Sequence, residues 1–516
     1  MNHAMLLPIL VPLFSAGLLV VMPARWRTRS RWLGVLATLA LLPIAADLVA
    51  QADSGHIAVY ALGNWAAPFG IVLQLDRLAA LMLLLTALLG AASVLSAGER
   101  DTRAGRHFDA LFQFQLMGLN GAFLAGDLFN LFVFFEILLI ASYALLVHGG
   151  GSERIGAGLH YVVLNLVGSS FFLLAIGVLY GITGTLNMAD LGERLARLAP
   201  SEVPLALAAG AMLMLVFGLK AAIFPLSFWL PRAYAAAAGP VAALFAIMTK
   251  VGVYAILRCH ALLFDGGRSW FGAFMHHWLW WMAIVTMMLA ACGALAARSM
   301  KRLTGYLVLV SVGLLCAGVS IQTPQAWSAT LYYLASTTVG TAALFLLADS
   351  LEMRSGRMPV GGGISRLAGT LYLAAAIAVV GLPPLSGFIG KVMLMQAVPL
   401  HGEWNGAAVL WPAVLVSSLA LIVAISRTGS RLLWQGPAAA AAHEHGMVTR
   451  PEASTPPVRR PDAAKLACCA LLLACSVALV VFARPLSGYL DATALQLLDR
   501  AAYTRAVLGA PTEPAR

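Results

Sequence analysis

Long apolar blocks separated by short polar connectors run the length of the chain, at roughly 5–22, 32–50, 71–97, 108–126, 127–148, 159–182, 204–230, 238–263, 278–297, 303–320, 327–349, 368–397, 406–427 and 464–483. Crossing about 30 Å of hydrocarbon takes an α-helix of roughly 20 apolar residues. The pattern therefore predicts an all-α polytopic membrane protein with about fourteen transmembrane helices, called spans 1 to 14 here. The first block lacks a preceding positive region, since its arginines follow it, so it is expected to remain as a helix and not to be cleaved as a signal peptide.

The spans divide as three, five, five and one. This gives three N-terminal helices over 1–107, a first five-helix repeat over 108–263 and a second over 278–427. A flexible cytoplasmic loop over 428–463, rich in Pro and Ala, and a last helix with its tail over 464–516 complete the chain. Repeats of five helices (spans 4 to 8 and 9 to 13) must be inverted in the membrane, because five is odd. No sequence identity between the halves is evident by eye.

Composition agrees with this reading: 61% of residues are hydrophobic and 11% charged. No soluble interior hides that much apolar surface, and no room is left for a large soluble domain. The net charge of +11 is dispersed in short loops, which points to topology and not to nucleic acid. Placing the loop with Arg25, Arg27, Arg29 and Arg31 in the cytoplasm puts 21 of the 33 basic residues inside by alternation. Both termini are then expected in the periplasm. The six cysteines form no CxxC pair and read as small core residues. His443 and His445 read as solvated, and the Gly run 361–363 as a loop.

Three of the five lysines, Lys220, Lys250 and Lys391, lie inside apolar spans. An ammonium at bilayer depth costs at least about 2.5–3.5 kcal/mol on insertion scales, so it faces the bundle interior and marks an ion or proton pathway. Lys250 follows Pro240 by ten residues, about 15 Å of helix, too deep to reach the interface easily. Lys220 precedes Pro225 in GLKAAIFPLSFWLP, and Lys391 follows Pro383 and Pro384 in GLPPLSGFIGK. Proline removes a backbone donor and breaks the helix, so spans 7 and 12 are expected to be interrupted, with freed carbonyls able to accept from an ammonium or to hold water. Broken helices at the fourth place of each five are the arrangement of inverted-repeat transporters. The one strong intramembrane carboxylate is Glu136, in GDLFNLFVFFEILLIASYALL. Paired with a lysine it would form a coupled unit whose proton affinity depends on occupancy. Asp127, nine residues earlier, reads as a turn or cap.

Those motifs, with GITGTLNMADL and FWLPRAYAAAAGPVAALFAIMTKVGVYAILR, closely resemble the D subunits of Mrp-type multisubunit monovalent cation/proton antiporters over about residues 70 to 427. That family is similar to the antiporter-like membrane subunits of respiratory complex I and of membrane-bound hydrogenases. The resemblance implies a line of charged residues along the membrane midplane, with Glu136, Lys220, Lys250 and Lys391 passing protons and Glu136 and Lys220 forming an ion pair that opens and closes. Many members carry histidine where this chain has Ser227 and Ser336. Serine takes up no proton near neutral pH, so a water chain at these two positions is expected instead.

The function expected is proton translocation within a hetero-oligomeric Na⁺ or K⁺/H⁺ antiporter of a bacterial inner membrane, with other antiporter subunits and lipids as partners. The alternatives are a redox-driven subunit of complex I or of a hydrogenase, and an assembly scaffold without transport. No flavin, haem, nicotinamide or metal motif is present, so no cofactor is expected.

Overall fold

A computed structural model describes residues 3–65, 68, 70–263, 270–351, 365–399, 406–434 and 462–509. Most of the loop expected over 428–463, with His443 and His445, and the Gly run 361–363 lie outside the described residues. Residues 428–434 belong to the helix before that loop.

The first three helices are α1 (Leu7–Val21), α2 (Arg27–Asp53) and α3 (Arg77–Ser96), followed by the short α4 (Glu99–Arg103). The first five spans of the repeat region are α5 (Phe108–Leu124), α6 (Leu128–Val147), α7 (Ser152–Thr183), the broken pair α9 (Val203–Ala221) and α10 (Trp229–Ala236), and α11 (Gly239–Leu262). A short α8 (Met188–Leu195) precedes α9. The second five are α12 (Trp270–Ala296), α13 (Met300–Ile321), α14 (Pro324–Leu351), the broken pair α15 (Arg366–Val380) and α16 (Ser386–Gln396), and α17 (Ala407–Trp434). The last apolar helix is α18 (Ala463–Val481). Two further helices, α19 (Ala483–Leu498) and α20 (Arg500–Leu508), fold the tail back onto the bundle.

Among the described residues twelve helices are long and apolar enough to cross a membrane. The two remaining sequence blocks are special. Span 4 is the 17-residue α5, which carries Gln113, Gln115 and Asn120, and span 12 is the broken pair α15 and α16. One correction concerns the block at 71–97. It opens as a strand, β2 (Val72–Leu75), paired antiparallel with β1 (Ala58–Ala61), and the helix starts only after Asp76, whose carboxylate accepts from Ala79 N and caps α3. A fully buried strand and the start of a buried helix are not told apart by their apolar content alone.

In each five, consecutive helices pack in the same order, first on second and onward to the broken helix and the fifth. The helices α11 and α14 are enclosed along their whole apolar windows, one in each repeat. By contrast α7 presents Leu159, Leu166 and Leu173 outward at seven-residue spacing, a single apolar face suited to lipid or a neighbouring subunit.

The two ends of the bundle are closed by ion pairs. On one face, Lys465 at the start of α18 meets Asp101 of α4 at 3.0 Å and Asp349 near the end of α14 at 2.6 Å, while Lys301 meets Asp349 at 2.5 Å. These residues fall on the side that Lys/Arg counting places in the cytoplasm. On the other face, which carries both described chain ends, Arg258 at the end of α11 forms a bidentate pair with Asp76 that is fully buried.

Candidate functional site

The helix breaks arise from the same local chemistry twice. At the end of α9, Ala222 adopts a left-handed backbone (φ 62), and Ile223 N reaches back to Gly218 O at 2.8 Å. At the end of α15, Gly381 does the same (φ 79), and Leu382 N reaches Ile377 O at 3.0 Å. Each is a left-handed helix stop with a six-to-one hydrogen bond, and the prolines that follow cannot resume the helix. The register this sets aligns Pro225-Leu226-Ser227 with Pro384-Leu385-Ser386, a short identity between the halves that is hidden in the linear sequence. Phe224–Pro225 and Pro383–Pro384 are both cis. Lys220 precedes its break and Lys391 follows its own, so the two lysines lie on opposite sides of equivalent interruptions.

All three lysines are buried. Lys391 folds back across its break and donates to Val380 O at 2.7 Å and to Ser418 Oγ of α17 at 2.8 Å. The carbonyl freed by the break thus holds the ammonium, as the sequence suggested. Gly381 makes room for it, because a Cβ there would lie 3.0 Å from Lys391 Cδ and 3.1 Å from Gly387 O. The first break differs: Lys220 donates not to a freed carbonyl but to Asn165 Oδ1 of α7 at 3.3 Å, and the Trp229 indole donates to Leu219 O at 3.2 Å.

Glu136 and Lys220 are not in direct contact in this structure, while the resemblance implies an ion pair that opens and closes. Glu136 accepts from Ser169 Oγ, one helical turn along α7 from Asn165. A cavity of about 10 Å³ beside Lys220, lined by Tyr161, Asn165, Trp229, Met248 and Val251, has room for about one water. Helix α11 approaches closely here, since a Cβ on Gly252 would stand 2.4 Å from Ala221 N. Lys250, on the same helix, points toward the second repeat and donates to Ser311 Oγ of α13 at a long 3.4 Å.

Ser336 joins a chain of hydroxyls: its Oγ lies 2.8 Å from Ser386 Oγ, which lies 2.8 Å from Ser476 Oγ of α18. Either oxygen of each pair can donate, so the chain can reverse its polarity. Ser227, at the position equivalent to Ser386, is half-buried beside its break. Asp127 is the cap expected of it, accepting from Asn130 N at 2.6 Å. Sequence reading missed Asn165, Ser169, Ser311, Ser386, Ser418 and Ser476, because neutral polar residues inside apolar spans carry no charge signal. The i, i+4 spacing of Asn165 and Ser169 was the one available clue.

The arrangement is a row of ionisable groups from α6 to α16, half-buried at Glu136 and buried at the three lysines, each held by neutral hydroxyls, an amide or a freed carbonyl. Such partners accept from an ammonium without fixing its charge, which suits groups that gain and lose protons. Among the described residues no cluster of side chains could hold a metal ion.

Residues 125–418 match the NADH:quinone oxidoreductase/Mrp antiporter transmembrane family. The chain is 40% identical to the D subunit of a probable K⁺/H⁺ antiporter from Rhizobium meliloti, across 99% of this chain and 98% of that one. It is 36% identical to the D subunit of a Na⁺/H⁺ antiporter from Bacillus subtilis, across 98% and 100%. A chain in the structure of an Mrp complex from Dietzia sp. superposes with a TM-score of 0.86 at 28% identity, over 99% of this chain and all (100%) of that one. This chain belongs to the NADH:quinone oxidoreductase/Mrp antiporter membrane-subunit family.

Proposed function

We propose that this multi-pass membrane protein is the proton-carrying subunit of a multisubunit antiporter that exchanges a monovalent cation, Na⁺ or K⁺, for H⁺ in a bacterial inner membrane. The observation that carries the reading is the row Glu136, Lys220, Lys250 and Lys391, two of whose lysines, Lys220 and Lys391, lie at equivalent helix breaks, and whose members are held by neutral groups that leave the charges free to change. A kink needed only for packing has no use for a buried ammonium that costs energy to insert. Protons enter and leave the row by hopping between water and lysine, and a charge on one group disfavours a like charge nearby. Glu136 and Lys220, held one turn apart on α7, form the switch of the first repeat. The Ser336–Ser386–Ser476 chain supplies hydrogen-bonded continuity where a histidine is absent.

Other antiporter subunits are the natural partners, and the outward apolar face of α7 is one surface available to them. Both termini are placed in the periplasm by the Lys/Arg bias. An impermeant thiol reagent applied to intact cells tests this: a cysteine introduced at Ser454 should stay unlabelled and one introduced in the tail labelled. A redox-driven relative and an inert scaffold are separated from an antiporter by cation and proton flux through the purified complex in liposomes. Cation-dependent proton movement without any electron donor is expected; its absence in an intact complex would contradict the proposal.

A further inference from the structure

The face that carries both chain ends holds a buried polar cluster that no step above uses. It forms where the irregular pieces meet: the connector 125–127, residues 185–187 before α8, the end of β2, the last turns of α11, and α20. Asp127 and Asn187 face each other across an antiparallel bridge, fixed by Leu128 N to Leu186 O at 2.9 Å and Met188 N to Gly126 O at 3.1 Å. Their side chains therefore lie on one side, and Thr185, two residues before Asn187, shares it.

Asp127 is 5% exposed, and its carboxylate is held by backbone donors alone, Asn130 N at 2.6 Å and Val72 N at 3.4 Å. Among the described residues no cation pairs with it. Asn187 Oδ1 is occupied in capping α8, which leaves Nδ2 as a buried donor without a partner. Thr185 Oγ1 and the Tyr503 hydroxyl are buried and unpartnered as well. Tyr503 stands within electrostatic reach of Asp127, Asp76, Tyr254 and Arg258. An amide donor repels a bare cation, whereas water both donates and accepts and so fits this mixture.

Helix α11 joins the cluster to the lysine row. Lys250, Tyr254 and Arg258 follow one another at four-residue spacing, a stripe rising about 6 Å per step. Tyr254 donates to Phe123 O at 2.7 Å and accepts from Arg258 at 3.1 Å.

We propose that Asp127 is a further proton-transfer residue, the exchange group at the end of a hydrated branch that leaves the row at Lys250 and passes Tyr254 to this face. A proton arriving as hydronium adds to a carboxylate oxygen of Asp127 and leaves a neutral water; release is the reverse, so no co-reactant is required. Burial, offset only by backbone N–H donors, pushes the Asp127 carboxyl up to about 6, where it exchanges protons near neutral pH. Of the other groups that face the cluster, Asp76 and Arg258 neutralise each other. Tyr254 and Tyr503 are neutral phenols, and Asp190 of α8 is paired with Arg194 at 2.9 Å.

This inference rests on the proton-carrying reading above. The test uses the purified complex with Asp127→Asn and with Asp127→Ser, since both side chains keep an N-cap acceptor for α6. Wild type should show a protonated-carboxyl infrared signal that titrates near pH 6 and is missing in both variants. Exchange in liposomes should slow about tenfold or more and lose its pH dependence in that range, with Asp127→Glu restoring part of it. An infrared signal that persists, or a wild-type rate and pH profile in both variants, overturns the proposal. If those variants behave as wild type while Lys391→Ala is inactive, this inference alone fails. If Lys391→Ala is itself as active as wild type, the lysine row fails and takes this inference with it.

Discussion

Glu136 and Lys220 do not touch, and α7 holds both: Ser169 donates to Glu136, and Asn165 accepts from Lys220 one turn away. A directly bonded pair would fix both charges, whereas one bridged by neutral side chains can change protonation without first breaking a salt bridge. Losing a hydrogen bond to a charged group costs about 1.5–3 kcal/mol, roughly a 10- to 100-fold effect.

Asn165→Leu is therefore expected to lower exchange in everted vesicles at least about tenfold, and Ser169→Ala, which removes the hydroxyl that donates to Glu136, to lower it as well. The double variant Glu136→Gln/Lys220→Ala should lose little more than the worse single variant, as members of one unit do. Fully additive losses would show that the two charges work separately. Assembly of each variant is checked first by blotting the membranes.

Gly381→Ala, a change of one methyl group with no charge, should impair exchange. Its backbone is left-handed (φ 79), and the added Cβ would press on Lys391 Cδ and Gly387 O. The backbone cost alone is about 1–2 kcal/mol, and the displaced lysine loses Val380 O. Ala222→Gly at the equivalent position of the first break should leave exchange close to wild type, because that site already accepts a Cβ. Equal activity of Gly381→Ala and wild type would argue against the role given to the second break.

Arg258→Ala should prevent the chain from accumulating in the membrane. Removing one partner of a buried pair typically costs about 3–5 kcal/mol, since the other charge is left unpaired. Asp76→Asn combined with Arg258→Gln keeps the cap on α3 and removes both charges, so abundance on a membrane blot should recover in the double variant. A stable Arg258→Ala chain would contradict the structural role.

In the sequence Lys301 is one more basic residue of a short connector; in the structure Lys301 and Lys465 share Asp349. Asp349→Ala should lower the thermal stability of the complex more than Lys301→Ala does, because it takes a carboxylate from two ammonium groups, whereas Asp349 keeps Lys465 as a partner when Lys301 is removed. The reverse order in a thermal-shift measurement would contradict the network.

The same contrast runs through the whole fold. Lys220, Lys250, Lys391 and Glu136 were visible because a charge within an apolar run is conspicuous, and the breaks because Pro225, Pro383 and Pro384 cannot sit inside a helix. Asp76 and Arg258 were not, since they lie 182 residues apart and each stands at the edge of a span, where charge is ordinary. The strand Val72–Leu75 was hidden by its own burial, all four residues facing the interior. The repeat was hidden too, because the identity of its halves reduces to Pro-Leu-Ser, which stands out only once both left-handed stops fix the register. The helices α19 and α20 carry too many polar residues to read as spans, and their docking onto α3, α8 and α14 is tertiary.

The measurement that bears most directly on the lysine row is proton and cation flux through the whole purified complex in liposomes, compared between wild type, Lys391→Ala and Arg103→Ala. Arg103 is an exposed residue paired, among the described residues, only with Glu99 at 3.0 Å, and such surface pairs contribute about 0–1 kcal/mol. With all three complexes equally assembled, Lys391→Ala should lose at least about nine-tenths of the exchange, in keeping with a proton-transfer group worth two or more orders of magnitude, while Arg103→Ala keeps the wild-type rate. Wild-type exchange by the Lys391→Ala complex would contradict the account.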